Sequence, residues 1–188
     1  MLVVALCDAN VLYPNTLRDF LLRLGLEQVI QVRTTEQILD EAFGNLEANR
    51  PDLDPARLKR TRDLMVQAMP DLLVTGYESR IEQLTLPDPD DRHVLAAAIT
   101  AEAEIIVTNN LKDFPAAVLA PHGITAQSPD EFLSGLHDFA ASQMVAVATA
   151  IATAWRSPDA TADGVLDSLA FVAPGAAELM RRTLRNLA

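Results

Sequence analysis

The sequence predicts an α/β protein, with a central, mostly parallel sheet flanked by helices and a helical C-terminal extension. Three observations predict it. Short apolar runs over residues 2–7 and 104–108 have the Val/Ile-rich character of strands buried on both faces. Stretches of helical periodicity separate those runs, the alternation expected of a sheet whose crossovers are helices. From Ser128 onward strand signals stop and Ala-rich apolar spacing takes over.

Taken in order, the run Leu2 to Cys7 ends at Asp8-Ala9-Asn10. Thr16 is a candidate N-cap, with Asp19 three positions on as a short form of the capping box, and Leu17, Phe20, Leu21 and Leu24 follow at helical spacing. Val29 to Val32 reads as a short strand or a helix end. Thr34 or Thr35 caps the next helix, whose apolar stripe is Ile38, Leu39, Ala42, Phe43 and Leu46. Asp54 before Pro55 suits a helix with proline in its first turn, continued by Leu58, Met65, Ala68 and Met69. Leu72 to Thr75 and Ile81 to Leu84 read as short strands or helical pieces. Prolines make 86–91 a loop, and a helix runs from Val94 to about Ala103. After the 104–108 strand, 109–115 is a loop and 122–126 a last short strand. Ser128-Pro129-Asp130-Glu131 starts a helix that carries Phe139 to Trp155, and Ser157-Pro158-Asp159 breaks it. Val145, Val147, Ala148, Ile151, Trp155, Phe171 and Leu179 have the spacing of packing helices. Residues 1–127 are read as the α/β unit and 128–188 as the helical extension.

The chain has 188 residues, 49% of them apolar, which suits one domain with an appendage and excludes bulk disorder. No apolar run approaches the ~20 residues that cross a bilayer. The first residues lack a basic flank and run straight into Asp8, so a signal peptide is not expected. Cys7 is the only cysteine, which excludes an internal disulfide framework and a Cys-rich zinc site. A cytoplasmic protein is the expectation. Asp+Glu number 26 against 15 Lys+Arg, a net charge of −11. Such a balance argues against a general electrostatic nucleic-acid binder. It is compatible with acids gathered to hold cations.

Placement of the acids points to that arrangement. In an open α/β sheet, ligands bind at the carboxyl ends of the strands. Asp8 lies just past the first strand, Asp91 just before a helix that feeds a strand, and Asp113 shortly after another strand; Glu41 lies within a helix. Carboxylates gathered without cations repel one another. Mg²⁺ or Mn²⁺, which prefer oxygen ligands, would keep them ionised together and suit phosphodiester hydrolysis. Each acid also has an ordinary role open to it. Asp8 could cap a turn; Asp88, Asp90 and Asp91 could stabilise the next helix N-terminus; Glu41 could share a solvated face with Glu36, Asp40 and Glu47.

The same residues carry a family resemblance. Val3-Val4-Ala5-Leu6-Cys7-Asp8-Ala9-Asn10 resembles the opening D-x-N strand of PIN-domain nucleases. Asp88-Pro89-Asp90-Asp91-Arg92-His93-Val94-Leu95-Ala96-Ala97-Ala98 is similar to the segment in which an acid precedes an Ala-rich helix. Ile105 to Phe114 is similar to the strand followed by a threonine and D-F, and Ile38-Leu39-Asp40-Glu41 falls where the second-helix glutamate is expected. The set covers residues 1–127. It implies a PIN-like fold and a metal-dependent endoribonuclease, most often in a chain of this size the VapC-type toxin of a toxin–antitoxin pair. Asp8, Glu41, Asp91 and Asp113 would then hold Mg²⁺ or Mn²⁺. Asn10 would orient Asp8 or a bound water, and Thr108 would do the same near Asp113. Many members have an acid where this chain has Asn110, so either Asp113 or Asn110, the latter through a neutral oxygen, completes the set. Asp40 and Glu36 compete with Glu41, and Asp88 and Asp90 with Asp91, which the spacing to Ala98 favours.

RNA contact requires positive charge. Arg57, Lys59, Arg60 and Arg62 form the densest basic cluster of the first 127 residues, and Arg18 and Arg92 lie near the acids in sequence. Arg18, Arg57, Lys59, Arg60 and Arg92 are the candidate RNA contacts, although a solvated helix face also explains the 57–62 cluster. His93 is expected to pack or cap at the helix start, and Cys7 to be a buried apolar residue. The helical extension covers the domain or offers a surface for a second copy or for an antitoxin helix. A non-catalytic PIN-like binding module is the alternative reading. A phosphatase with an Asp nucleophile is disfavoured, because Asp8-Ala9-Asn10 lacks the D-x-D such chemistry wants.

Overall fold

The computed structural model describes residues 2–155 and 160–187. The helix break expected at Ser157-Pro158-Asp159 lies outside the described residues. Four short parallel strands form one sheet: β1 (Val4–Cys7), β2 (Gln31–Arg33), β3 (Ile105–Val107) and β4 (Thr125–Gln127), in the order β2-β1-β3-β4. β1 is central because its side chains can be buried on both faces: Ala5, Leu6 and Cys7 are wholly inaccessible. Its register against β3 pairs Cys7 with Val107, so both strands end at the same level.

Ten helices surround the sheet among the described residues: α1 (Ala9–Leu12), α2 (Asn15–Leu26), α3 (Glu36–Asn49), α4 (Pro55–Ala68), α5 (Glu78–Ile81), α6 (Arg92–Thr100), α7 (Ala116–Leu119), α8 (Pro129–Ala154), α9 (Ala162–Leu169) and α10 (Pro174–Leu187). α1 follows β1 without a loop, with Asp8 as its N-cap. α2 starts at Asn15 with Pro14 at the N-cap position, so Thr16 is inside the helix rather than capping it. The proline presets the backbone angle at that corner, and the Asn15 carboxamide oxygen accepts from Arg18 instead of capping.

α3 begins as the sequence predicts. Thr35 accepts the Ile38 amide at 3.0 Å, and Ile38, Leu39, Ala42, Phe43 and Leu46 are buried. Asp54 caps α4 with Pro55 in the first turn, but Met65 is the one side chain α4 fully buries among the described residues. Leu72 to Val74 forms only an isolated parallel bridge, Thr34 with Leu73. The 81–84 piece is not a strand; α5 ends at Ile81. In α6 the run His93 to Ala98 is buried, and the small alanines let the helix approach β1 and β3 closely.

The C-terminal helices pack on the domain rather than standing apart. α8 opens with the Ser128/Glu131 capping box, bends at Ala140, and lies against α2, α9 and α10. Asp130 Oδ1 accepts the Ala176 amide at 2.9 Å, and His137 Nε2 lies 2.9 Å from Thr183 Oγ1, so α10 is tied to α8 at two levels. Phe171, expected to pack, is exposed in the α9–α10 turn, where no neighbouring element reaches it among the described residues. No described helix is long and apolar enough to cross a membrane.

Because Thr35 both caps α3 and is wholly buried, Thr35→Ala should lower unfolding free energy by about 1 kcal/mol. Urea denaturation followed by circular dichroism checks this; an unchanged midpoint would show the cap to be dispensable.

Candidate metal centre at the carboxyl ends of the central strands

Asp8 leaves the end of β1 and is 5% exposed. Its Oδ1 accepts the Ala9 amide at 2.7 Å. Its Oδ2 accepts the Asn10 side-chain amide at 2.6 Å and the Thr108 hydroxyl at 2.7 Å. The β1–β3 register makes the last contact possible, because Thr108 directly follows Val107 on the neighbouring strand. Asn10 is held in turn: its Oδ1 accepts the Asn109 amide at 2.9 Å. Asn10 therefore holds the Asp8 carboxylate through this hydrogen bond. Thr108 also supports Asp8, and not Asp113 as expected, because its side chain points along the sheet toward β1. Asp8 takes the ordinary capping role as well, so capping and site roles coincide in one carboxylate.

Asp91 ends a 3₁₀ turn (Pro89–Asp91) and opens α6. Asn110, at the position where many family members carry an acid, donates from Nδ2 to Asp91 Oδ2 at 3.3 Å, and its backbone amide donates to Thr108 Oγ1 at 3.0 Å. Glu41 comes from the middle of α3, with His93 Nε2 at 3.3 Å and Gln37 Nε2 at 3.3 Å from its Oε1. Asp8, Asn10, Tyr13, Glu41, Asn45, Asn49, Asp91 and Asn110 line one open cleft of about 510 Å³. No Lys or Arg is among its described lining residues. Asp113 is buried and does not line the cleft; one oxygen each from Asp88, Asp91 and Asp113 lies within 4.8 Å of the others.

The electrostatics follow from that crowding. Burial, then Asp8, Asp88 and Asp113, push the Asp91 carboxyl up to about 6, with His93 opposing. Burial raises Asp8 against the hydrogen bonds from Thr108 and Ala9. Glu41 goes the other way, held below the usual carboxylate range chiefly by the His93 imidazole. An oxygen-rich cleft with crowded acids and no Lys or Arg among its described lining residues fits a hard divalent ion such as Mg²⁺ or Mn²⁺.

Several side chains sit elsewhere than the sequence suggests. Arg18 is not an RNA-facing residue. It is 5% exposed, donates to the Leu12 and Tyr13 carbonyls at 2.7 and 3.1 Å, and lies 5.2 Å from the Phe43 ring centre. It ties the end of α1 to α2 and α3, and burial pulls its guanidinium down to about 10. Lys59 and Arg60 are exposed on α4 and line no part of the cleft; Lys59 pairs with Asp63 at 2.8 Å. Arg57 lines an adjoining groove of about 550 Å³ that shares Tyr13 with the acid cleft. Arg92 donates to the Pro89 carbonyl at 2.8 Å, bracing the turn that carries Asp91. Cys7 is buried and its thiol is pushed up to about 12, so it is no nucleophile. The spacing favours Asp91 over Asp88, yet Asp88 joins Asp91 and Asp113. Asn45 and Asn49 were missed. The signal was present: they lie four and eight residues after Glu41, on the same helix face.

The comparisons accord with this architecture. Residues 4–112 match the PIN-domain family, and the chain belongs to it. Residues 129–186 match a second family, described as the VapC50 C-terminal domain. A similar protein is the Mycobacterium tuberculosis (strain ATCC 25618 / H37Rv) protein named "Putative ribonuclease VapC50", 42% identical over 92 residues. That alignment covers 49% of this chain and 54% of the relative, so the chain spans about half the length of the curated relative it matches. No solved structure matches the chain.

Two outcomes follow. Arg18→Ala should cost about 1.5–3 kcal/mol of stability, because buried carbonyls lose a charged donor; equilibrium denaturation measures it, and a loss of RNA affinity without destabilisation would contradict the buried role. Without metal, the raised Asp91 favours the folded state below its unfolded value. That contribution is lost as pH rises from about 4 through about 6. Glu41, being depressed, loses its contribution as pH falls instead. Asp91→Asn should therefore stabilise the metal-free protein at pH 7.5, by about 1 kcal/mol after solvent screening, and much less at pH 4. Thermal melts in EDTA at both pH values check the sign.

Proposed function

We propose that this chain is a metal-dependent endoribonuclease that hydrolyses RNA phosphodiester bonds, acting in the cytoplasm as the toxin of a type II toxin–antitoxin pair. The observation that carries the reading is the convergence of Asp8, Glu41 and Asp91, from three separate segments, on a cleft with no basic lining residue among those described. Membership of the PIN-domain family and the likeness to the mycobacterial protein support it.

Asp8, Glu41, Asp91 and Asp113 would hold Mg²⁺ or Mn²⁺, Asp113 together with Asp88 standing close enough to Asp91 to share an ion with it. A bound divalent ion supplies Lewis acidity, activating water and stabilising charge on the leaving oxygen. The chain's own groups do the rest. Thr108 and Asn10 lock the Asp8 carboxylate in one orientation, and Asn110 turns Asp91 toward the same space. Tyr13, Asn45 and Asn49 offer an aromatic face and hydrogen-bonding amides to a nucleotide in the open cleft. In the reaction, water adds to a backbone phosphorus and the 3′ oxygen leaves. Arg57, beside the shared Tyr13 wall, and Arg92, next to Asp91, are the basic groups best placed to meet flanking phosphates.

We also read 1–127 as the nuclease unit and 128–188 as an extension that covers α2, a division to which the two matched stretches lend support. The partners of this reading are RNA, a cognate antitoxin protein and a second copy of the chain.

Asp8→Asn and Asp91→Asn, each folded, should lose at least about 100-fold in RNA cleavage in Mg²⁺, since each removes a metal-holding carboxylate. Full cleavage by both variants would sink the nuclease reading. Absence of Mn²⁺ binding by the unaltered chain would favour the non-catalytic binding module instead.

A further inference from the structure

Glu41 is held differently from the other acids of the cleft. Asp8 and Asp91 sit at element ends, with short side chains fixed by Thr108, Asn10 and Asn110. Glu41 reaches from the middle of α3 on a longer side chain that is 41% exposed. Gln37, one of its two neighbours at 3.3 Å, is itself exposed and on the same helix, so it restrains Glu41 weakly. The other is His93, whose side chain is 5% exposed and belongs to the buried first turn of α6.

His93 is costly unless it has a task. It is followed by Val94, Leu95, Ala96, Ala97 and Ala98, all wholly buried, so an apolar side chain would satisfy packing there. Its Nδ1 is buried without a hydrogen-bond partner among the described residues, while Nε2 faces the Glu41 carboxylate. An Nε2–H tautomer sets its proton on the side of Glu41, 3.3 Å away, and leaves only a bare lone pair at Nδ1, the cheaper of the two arrangements for an orphaned buried nitrogen. A rigid, buried imidazole 3.3 Å from a flexible, half-exposed carboxylate favours the side-chain conformations that keep the two in contact.

We propose that His93 is the positioning residue of Glu41, fixing its carboxylate over the acid cleft so that α3 contributes a preorganised oxygen ligand. The inference rests on the reading of the cleft as a metal centre. Partners of metal-holding side chains that orient them in this way change metal affinity by about 10–100-fold when removed.

Mn²⁺ alone, titrated into the full chain with free Mn²⁺ followed by electron paramagnetic resonance, tests it without substrate. His93→Phe keeps a ring and removes the donor; His93→Leu replaces it if the phenyl ring prevents folding. His93→Gln returns an amide donor near the position of Nε2. The folded Phe or Leu variant should bind Mn²⁺ about 10–100-fold more weakly, and the Gln variant should lie closer to the unaltered chain. In a Glu41→Gln background the His93 change should have no further effect, because the metal-holding carboxylate that it positions is already gone. A His93→Phe variant that binds like the unaltered chain, or that weakens the Glu41→Gln protein by the same factor, overturns the positioning role and leaves the metal centre standing. An unaltered chain that binds no Mn²⁺, or a Glu41→Gln variant that binds undiminished, overturns the metal ligation on which the inference rests.

Discussion

The parallel pairing of β1 with β3 is the constraint on which the site depends. Cys7 stands opposite Val107, so Asp8 and Thr108 leave the sheet side by side and the 2.7 Å hydrogen bond between them closes across the two strands. A slip of one residue would turn every side chain of β1 to the other face. Asp8 would then exchange places with the wholly buried Cys7, and a carboxylate would enter an apolar core. Hydrophobic burial of Ala5, Leu6, Ile106 and Val107 therefore fixes where the carboxylate emerges.

Around that point the chain accepts electrostatic repulsion that a purely stability-driven arrangement would avoid. Asp91 feels Asp8, Asp88 and Asp113 together, and burial adds to the same direction. Hydrogen bonds temper the repulsion without removing it, from Thr108, Asn10 and the Ala9 amide for Asp8 and from Asn110 for Asp91, and the His93 imidazole lies 3.3 Å from Glu41. The net charge of −11 takes on a local meaning here. Most of the acids are scattered on solvated faces or paired with arginines, as Glu36 and Asp40 are with Arg62 and as Asp163 and Asp167 are with Arg181. Those at the strand ends have no such partner within the cleft lining.

Rigid support comes from groups that never face the cleft. Arg18, buried behind α1, ties the Leu12 and Tyr13 carbonyls to α2 and stacks on Phe43 of α3, so the elements that carry Asp8 and Glu41 are joined through one guanidinium. The alanines of α6 let that helix lie close to the sheet and bring Asp91 up to Asp8. The C-terminal helices cover α2 from outside, so the same helix is buttressed on one side by the extension and on the other by the sheet core.

The sequence by itself determined the element types with strong periodicity and the caps at Asp54 and Ser128, and it narrowed the α3 cap to Thr34 or Thr35, because these depend on local spacing and on residues adjacent in the chain; Asp8, Glu41, Asp91 and Asp113 were singled out by their placement and by the family resemblance. The short pieces at 72–75 and 81–84 were ambiguous for the same reason: a few apolar residues carry no distinguishable period, and a single bridge to Thr34 decided the first. Only the tertiary structure decided what depends on residues far apart. It turned Thr108 toward Asp8 rather than Asp113, drew Asp88 beside Asp91 and Asp113, took Arg18 out of solvent, and set His93 of α6 against Glu41 of α3. Each of these is a choice of partner in three dimensions, set by strand register and helix packing, to which a one-dimensional pattern of polar and apolar residues is blind.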